Sequence, residues 1–233
     1  MAIVLAAGAG ARLGAPTSKA FVPLGGRPLV AHALEALASV KEVEAVVLVV
    51  GERDLDRARA LVAGRPELRV ERVVAGGRTR QESVRLGLEA VPGSARVVVC
   101  HDAARPFATP QLFRRVLAAL RAADGSVPVV WSTDTVKRVR DGRVVETLPR
   151  AEVAFAQTPQ AFRAEVLREA HRRAIRSGLE ATDDAALVEA AGFDVVAVEG
   201  EPSNFKVTTP EDLARAEELL ATAGRAVLRS RAP

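Results

Sequence analysis

The sequence predicts an α/β fold, a doubly wound and mostly parallel sheet, and three observations carry that expectation. Short apolar runs alternate with helical patterns through the first half of the chain. The runs are apolar at every position instead of every second one, and glycine-rich or charged turns follow their C-terminal ends. Strands separated by helices imply crossover connections and parallel pairing, and continuous apolar strands imply burial on both faces. Ligands of such sheets bind beyond the carboxyl ends of the strands, at a topological switch point. The turns near Gly8, Gly76 and Asp102 are therefore expected to converge.

Taken in order, a strand over residues 3–5 feeds a glycine-rich turn, and residues 21–24 form a short extended piece closed by Gly25 and Gly26. Pro28 opens a helix to about residue 39, with Leu29, Ala33, Leu34 and Leu37 on one face. A strand over 46–50, a helix over 55–63 and a strand over 68–74 follow. After the break at Gly76-Gly77 come a helix over 81–90 and a strand over 97–100. Thr109 and Pro110 supply an N-cap and an N1 proline to a helix ending near residue 122. Beyond a strand over 127–131 the alternation stops. Segments 136–139 and 144–148 flank Asp141-Gly142, a strong hairpin-turn signal. Charge fills this hairpin, which cannot bury a core alone, so we read it as an arm projecting from the domain. Helices over 163–177 and 183–191, a strand over 195–198 and a helix over 210–223 capped by Thr209 complete the pattern. The final ten residues are expected to fray.

The composition narrows the function classes. At 233 residues the chain is one large domain or a domain with an appendage, with hydrophobic and charged fractions of 48% and 27%, ordinary for a soluble globular protein. The apolar run 45–50 is far too short to cross a membrane, and no basic stretch precedes the apolar N-terminus, which argues against a signal peptide. Cys100 is the only cysteine, which excludes an internal disulfide and fits a reducing cytoplasm. A net charge of +4 spread along the chain, with 3% aromatics and no RNA-binding signature, argues against nucleic acid as the partner. Of 33 basic residues only Lys19, Lys41, Lys137 and Lys206 are lysine, so a lysine at a motif position is less often incidental.

Three stretches carry chemistry. In the first, Gly8 and Gly10 lack Cβ atoms, which permits positive φ and lets backbone N–H groups approach an anion; Arg12 and Lys19 place two cations beyond that cradle. This describes a polyphosphate site, although no lysine follows Gly14 as a Walker A loop requires, and Leu13 stands where a dinucleotide fingerprint needs its third glycine. In the second, Asp102 leaves a buried strand and is followed by Ala103 and Ala104, so a sugar or metal can approach, with Arg105 in reach of a phosphate. The alternative is Asp102 satisfying loop N–H groups with Arg105 paired to it. Gly76 and Gly77, with Ser83, can read a base edge or simply start a helix. In the third, Asn204 is the chain's only asparagine and lies two positions before Lys206; neither is explained by the helix cap at Thr209. Thr182, Asp183 and Asp184 suit a helix N-terminus better than a metal.

Together these stretches resemble the 2-C-methyl-D-erythritol 4-phosphate cytidylyltransferase family. The resemblance rests on residues 5–14 leading to Lys19, His101-Asp102-Ala103-Ala104-Arg105-Pro106, Asp134-Thr135-Val136-Lys137, Gln157-Thr158-Pro159-Gln160 and Asn204-Phe205-Lys206-Val207-Thr208, in the family's order over most of the chain. It departs at Ser18 and Ala20, where the family often has proline and glutamine.

The resemblance implies a nucleotide-diphospho-sugar transferase-like fold, a single nucleotidyltransferase domain over 1–233 with 134–156 as a dimerisation arm, and transfer of CMP from CTP to the sugar phosphate with release of pyrophosphate. It assigns Arg12, Lys19, Arg150 and Lys206 to catalysis, and Ala6, Ala7, Gly8, Gly10, Gly77, Ser83 and Ala103 to the nucleotide. Asp102, Arg105, Thr135 and Thr158 go to the sugar phosphate, with Arg150 and Thr158 reaching in from a partner subunit of a homodimer. Mg²⁺ is implied on the triphosphate, with Asp102 its nearby carboxylate. The rival readings are another sugar-phosphate or cofactor nucleotidyltransferase, and a nucleotide-binding protein without turnover. A dehydrogenase lacks its glycine spacing.

Overall fold

A computed structural model describes residues 1–8, 10, 13–14 and 17–230, with side chains described through residue 222. Arg12 therefore lies outside the described residues. The elements are β1 (Ala2–Ala6), β2 (Pro23–Leu24), β3 (Arg27–Pro28), α1 (Leu29–Ala38), β4 (Val46–Val50), α2 (Leu55–Val62), β5 (Val70–Ala75), α3 (Arg80–Glu89), β6 (Val97–Asp102), α4 (Pro110–Ala119), β7 (Gly125–Trp131), β8 (Val136–Arg140), β9 (Arg143–Leu148), β10 (Ala154–Ala156), β11 (Gln160–Arg163), α5 (Ala164–Ser177), α6 (Asp184–Ala190), β12 (Val195–Glu199) and α7 (Pro210–Ser230).

One sheet organises them. β5, β4, β1 and β6 are parallel neighbours. β11 then joins β6 antiparallel, β7 pairs antiparallel with both β11 and β10, and β12 pairs with β7 in parallel. The period-2 geometry of a strand explains why β1 and β4 are apolar throughout. Ala2, Val4, Val46 and Leu48 pack on one side with α1 and α4 (Leu34, Leu112, Phe113), while Ile3, Leu5, Val47 and Val49 pack on the other with α3, α5 and α6 (Val84, Leu167, Leu187). The chain leaves β1 towards β4 on one side, whereas β6 lies on the other, so the switch point falls between the ends of β1 and β6. Leu5 is in register with Asp102 there.

The hairpin of β8 and β9 forms its own two-stranded sheet, closed by Asp141 at φ 49° and Gly142 at φ 74°, the left-handed pair that a tight hairpin turn requires. Val139, Val144 and Val145 on it, and Trp131 and Phe155 at its base, are 51–62% exposed, whereas Leu148 is half-buried. The strands β10 and β11 were not expected. They are three and four residues long, flank Pro159, and acquire strand character from pairing with β7 and β6. β10 belongs to the main sheet, so the last residues of the 134–156 arm are tied to the domain.

Three further expectations shift. Pro28 ends β3 and stands at the N-cap of α1, not inside it. Leu68 falls in a 3-10 turn before β5 begins at Val70. The backbone of α7 stays helical to Ser230 instead of fraying at 223, since no proline interrupts it between Pro210 and Pro233.

Candidate active site

The sheet ends build a cleft of about 560 Å³ at the switch point. Ala6, Ala7, Gly8, Gly10 and Lys19 line it from the β1 side, Gly77–Arg80 and Ser83 from α3, and Asp102–Ala104 from β6, with Lys206 and Thr208 closing it. Among these described residues four side chains are cationic (Lys19, Arg78, Arg80, Lys206) and one is a carboxylate, Asp102. The three turns expected to converge do so.

Two glycines are required by geometry. Gly10 sits at φ 71°, and a Cβ on it would lie 2.6 Å from the Cβ of Lys19. A Cβ on Gly76 would lie 2.5 Å from the Cβ of Ala7 and 2.8 Å from Ser83 Oγ. Gly8, by contrast, has no positive φ and no neighbour within 4 Å of a would-be Cβ. Gly76→Ala is accordingly expected to overpack the junction of β1 and β5, lowering stability by about 1–3 kcal/mol. Gly8→Ala should leave the thermal midpoint unchanged; equal melting shifts for the two variants would contradict this packing account.

Asp102 is the electrostatic centre. Its Oδ2 accepts from Lys206 Nζ at 2.6 Å and its Oδ1 from Arg80 Nε at 3.1 Å, while Arg80 Nη1 pairs with Asp184 Oδ2 at 2.9 Å. Burial alone would raise the Asp102 carboxyl, but Arg80 and Lys206 overcome it and hold it well below the usual carboxylate range. The same contest settles Arg80 the other way: burial opposes its charge, and Asp184 and Asp102 raise its pKa despite it. Asp184 is also lowered against its burial, first by Arg80. The result is an alternating row, Lys206, Asp102, Arg80, Asp184, running from the cleft into the core.

A scaffold sets the lysine in place. Asn204 is fully buried, and its Nδ2 donates to Thr158 O at 2.9 Å and Gln157 Oε1 at 3.2 Å. Val207 N–H donates to Ala104 O at 2.9 Å. Arg105 donates to the carbonyls of Asn204 at 2.7 Å and Ala156 at 3.3 Å, so it braces this segment and is not the partner of Asp102 that its spacing allowed. Thr158 corrects the expectation that it reaches into a neighbouring subunit. The turn between β10 and β11 carries it back into its own sheet, where its hydroxyl is buried and accepts from Asp102 N–H at 3.0 Å. His101, packed edge-on against Phe113, is pushed down to about 4 by burial and is neutral at neutral pH. Burial likewise pushes the Cys100 thiol up, as expected of a core residue.

Ser83 Oγ accepts from Gly77 N–H at 3.1 Å and donates to Thr79 O at 2.9 Å, which leaves the hydroxyl one lone pair to offer. Lys19 Nζ donates to Thr208 Oγ1 at 3.4 Å. Thr135 and Arg150 are exposed on the arm and do not line the cleft of their own chain; Arg150 Nη1 reaches only Thr133 O, at 3.4 Å. Among the described residues no three His, Cys, Asp or Glu side chains form a metal cage. No helix among them is long and apolar enough to cross a membrane.

Sequence reasoning passed over Arg80 and took Asp184 for a helix-end charge. Asp183 is the one that caps α6, accepting from Ala186 N–H at 3.0 Å. Asp184 instead shares its buried face with Leu187 and Val188, three and four positions on. A carboxylate on an apolar helical stripe was the available signal for a buried cation.

Comparison with known proteins agrees with this geometry. A family model described as IspD, 2-C-methyl-D-erythritol 4-phosphate cytidylyltransferase, matches residues 1–222. The chain is 48% identical over 223 residues to the bifunctional enzyme IspD/IspF of Bradyrhizobium sp. (strain ORS 278), covering 94% of this chain and 56% of that one. It thus spans little more than half the length of the curated relatives it matches. Among solved structures it resembles 4-diphosphocytidyl-2C-methyl-D-erythritol synthase from Anaerococcus prevotii, with TM-score 0.84 and 33% identity over 94% of this chain and 97% of that one. The corresponding values for 2-C-methyl-D-erythritol 4-phosphate cytidylyltransferase from Thermus thermophilus are 0.75 and 38%, over 94% and 97%.

Proposed function

This chain belongs to the 2-C-methyl-D-erythritol 4-phosphate cytidylyltransferase family, and from that premise we propose that it transfers CMP from CTP to 2-C-methyl-D-erythritol 4-phosphate, releasing pyrophosphate, in non-mevalonate isoprenoid biosynthesis. The observation that carries the proposal is the cleft at the switch point, where among the described residues four cations face a single carboxylate. Such a lining suits two polyanions brought together. The attacking group is a phosphate oxygen, anionic at neutral pH, so no strong general base is needed. It forms a bond to the α-phosphorus as the bond from that phosphorus to the β-bridging oxygen breaks. Catalysis then consists of positioning and of cations around the developing charge. His101, buried and neutral, has no part in it.

In this reading Ala6, Ala7, Gly8 and Gly10 cradle the nucleotide with Ala103, and Gly77 and Ser83 face cytosine. Arg12 and Lys19 take the triphosphate charge. Lys206, held by Asp102, takes the sugar phosphate together with Asp102, Arg105 and Thr158. Mg²⁺ would arrive on the triphosphate. Asp102 is the only carboxylate among the described residues lining the cleft, and both its oxygens engage cations, so it fits a metal brought in by nucleotide and not one caged by protein. When bound, the ion supplies further neutralisation of phosphate charge. A cytoplasmic setting is part of the proposal, supported by the single buried cysteine. Pyrophosphate release measured with 2-C-methyl-D-erythritol 4-phosphate and CTP, UTP or GTP tests it: release is expected with CTP. Preference for UTP or GTP would favour a different nucleotidyltransferase, and CTP binding without release a non-catalytic one.

The proposal includes a homodimer whose arms, residues 134–156, complete each other's sites. The exposed valines of β8 and β9 with Trp131 and Phe155 support it, since a projecting two-stranded arm leaves open edges and apolar surface that a self-complementary partner covers. Thr135 and Arg150, absent from the cleft of their own chain, would then serve the neighbour's. Arg150→Ala and Lys19→Ala subunits, each nearly inactive alone, should regain up to one working site per mixed dimer after subunit exchange. Verified mixed dimers without recovered activity, or a monomer by sedimentation at assay concentration, would remove the shared site.

A further inference from the structure

We propose that Arg80 is a positioning residue for the sugar phosphate: it clamps one oxygen of Asp102 so that the other holds the Lys206 ammonium at the cleft, with Asp184 as the buried counter-charge that fixes the clamp. The inference rests on the function proposed above and extends it to two residues outside the roles assigned there.

The geometry needs an arginine. Nε reaches Asp102 at 3.1 Å while Nη1 reaches Asp184 at 2.9 Å, so one planar group spans two carboxylates that a single ammonium could not fix together. With Oδ1 pinned, the Asp102 carboxylate cannot turn about its own axis, and Oδ2 stays under Lys206 Nζ at 2.6 Å. Thr158 holds the Asp102 backbone from the other side. The four charges balance, two of each sign, and the two ends of the row differ in exposure, Lys206 at 40% of its side chain and Asp184 at 1%. The row is anchored at its buried end and presents its more exposed end, the held Lys206 ammonium, to the cleft.

Helix stability does not account for Arg80. It is the first residue of α3, where the helix dipole favours acids and disfavours a cation. The helix already has its cap, since Thr79 Oγ1 accepts from Glu82 N–H at 3.1 Å. Two other titratable groups face Asp184: His171, with Nε2 at 3.6 Å from Oδ1, too far for a hydrogen bond, and the buried Cys100 thiol, which burial and Asp184 keep protonated and uncharged. Asp184 therefore depends on Arg80 for its charge partner, and Arg80 on Asp184 for its orientation.

The test uses the chain's small number of lysines. With only four, the ε-CH₂ resonances of ¹³C-lysine-labelled protein can be assigned by substituting each lysine with arginine. In ligand-free wild type, Lys206 should show two inequivalent ε-protons, the mark of a fixed ammonium; in Arg80→Gln they should merge. The same variant should raise KM for 2-C-methyl-D-erythritol 4-phosphate roughly 10–100-fold, the worth of one charge-assisted hydrogen bond, with CTP affinity unchanged by calorimetry. Arg80→Lys should recover part of the loss, because an ammonium can hold Asp102 but not both carboxylates. Asp184→Asn, which keeps size and shape, should give a smaller rise in the same KM and decides the matter if Arg80→Gln does not fold. Unchanged Lys206 resonances and KM in folded variants, or equal losses for CTP and the sugar phosphate, would overturn the clamp. The spectra are recorded without substrate, so a wild type that lacks transferase activity would overturn the function and leave the clamp to be decided by them.

Discussion

Lys19→Ala is expected to lower kcat by about 10²–10³, the usual cost of removing one preorganised donor to charge developing in the transition state. Lys19 opens the 3-10 turn Lys19–Phe21, directly after the glycine-rich turn, and only a glycine at position 10 leaves room for its Cβ. Its stem is thus seated against the cradle that the nucleotide phosphates would occupy, and its ammonium lines the cleft beside Thr208. The apolar anchors of the turn are Ala20 and Phe21, both buried, so folding should survive the substitution. Thermal melting and steady-state kinetics together decide it: a folded variant with near wild-type kcat would remove Lys19 from the chemistry. Arg12, outside the described residues, carries the same expectation from its place in the sequence.

Lys206→Ala should separate the two substrates. Its ammonium binds Asp102, at the end of β6. Removing it leaves Asp102 paired with Arg80, so the buried carboxylate keeps a counter-charge and the fold keeps its core. What disappears is the cation that the proposed function assigns to the sugar phosphate, and an interaction with a charged group of this kind typically changes binding roughly 10–100-fold. KM for 2-C-methyl-D-erythritol 4-phosphate is expected to rise by that factor while calorimetric CTP affinity holds. A matching fall in CTP affinity would move Lys206 to the nucleotide side.

Much of this site was legible in the sequence because its residues follow strand ends. A buried parallel strand announces itself as an apolar run, and the positions after it are where ligands bind, so Gly8, Gly76 and Asp102 group together by position alone. Lys206 stood out because lysine is scarce in this chain. What stayed hidden depends on partners distant in sequence. Arg80 meets Asp102 across 22 positions and Lys206 meets it across 104. Nothing local announces that Arg105 braces the Asn204 segment, since its acceptors are backbone carbonyls. The strands β10 and β11 exist through their pairing alone, and with them went the placement of Thr158. The arm, whose turn chemistry is local, was read correctly to the turn residues.

The central claim is that this cleft moves a cytidylyl group between two phosphates, and following the phosphorus tests it most directly. With 2-C-methyl-D-erythritol 4-phosphate and Mg²⁺, CTP labelled at the α-phosphorus should pass its label to a new sugar diphosphate. CTP labelled at the γ-phosphorus should leave its label in pyrophosphate. α-Label recovered only as free CMP, or γ-label transferred to the sugar phosphate, would contradict the account.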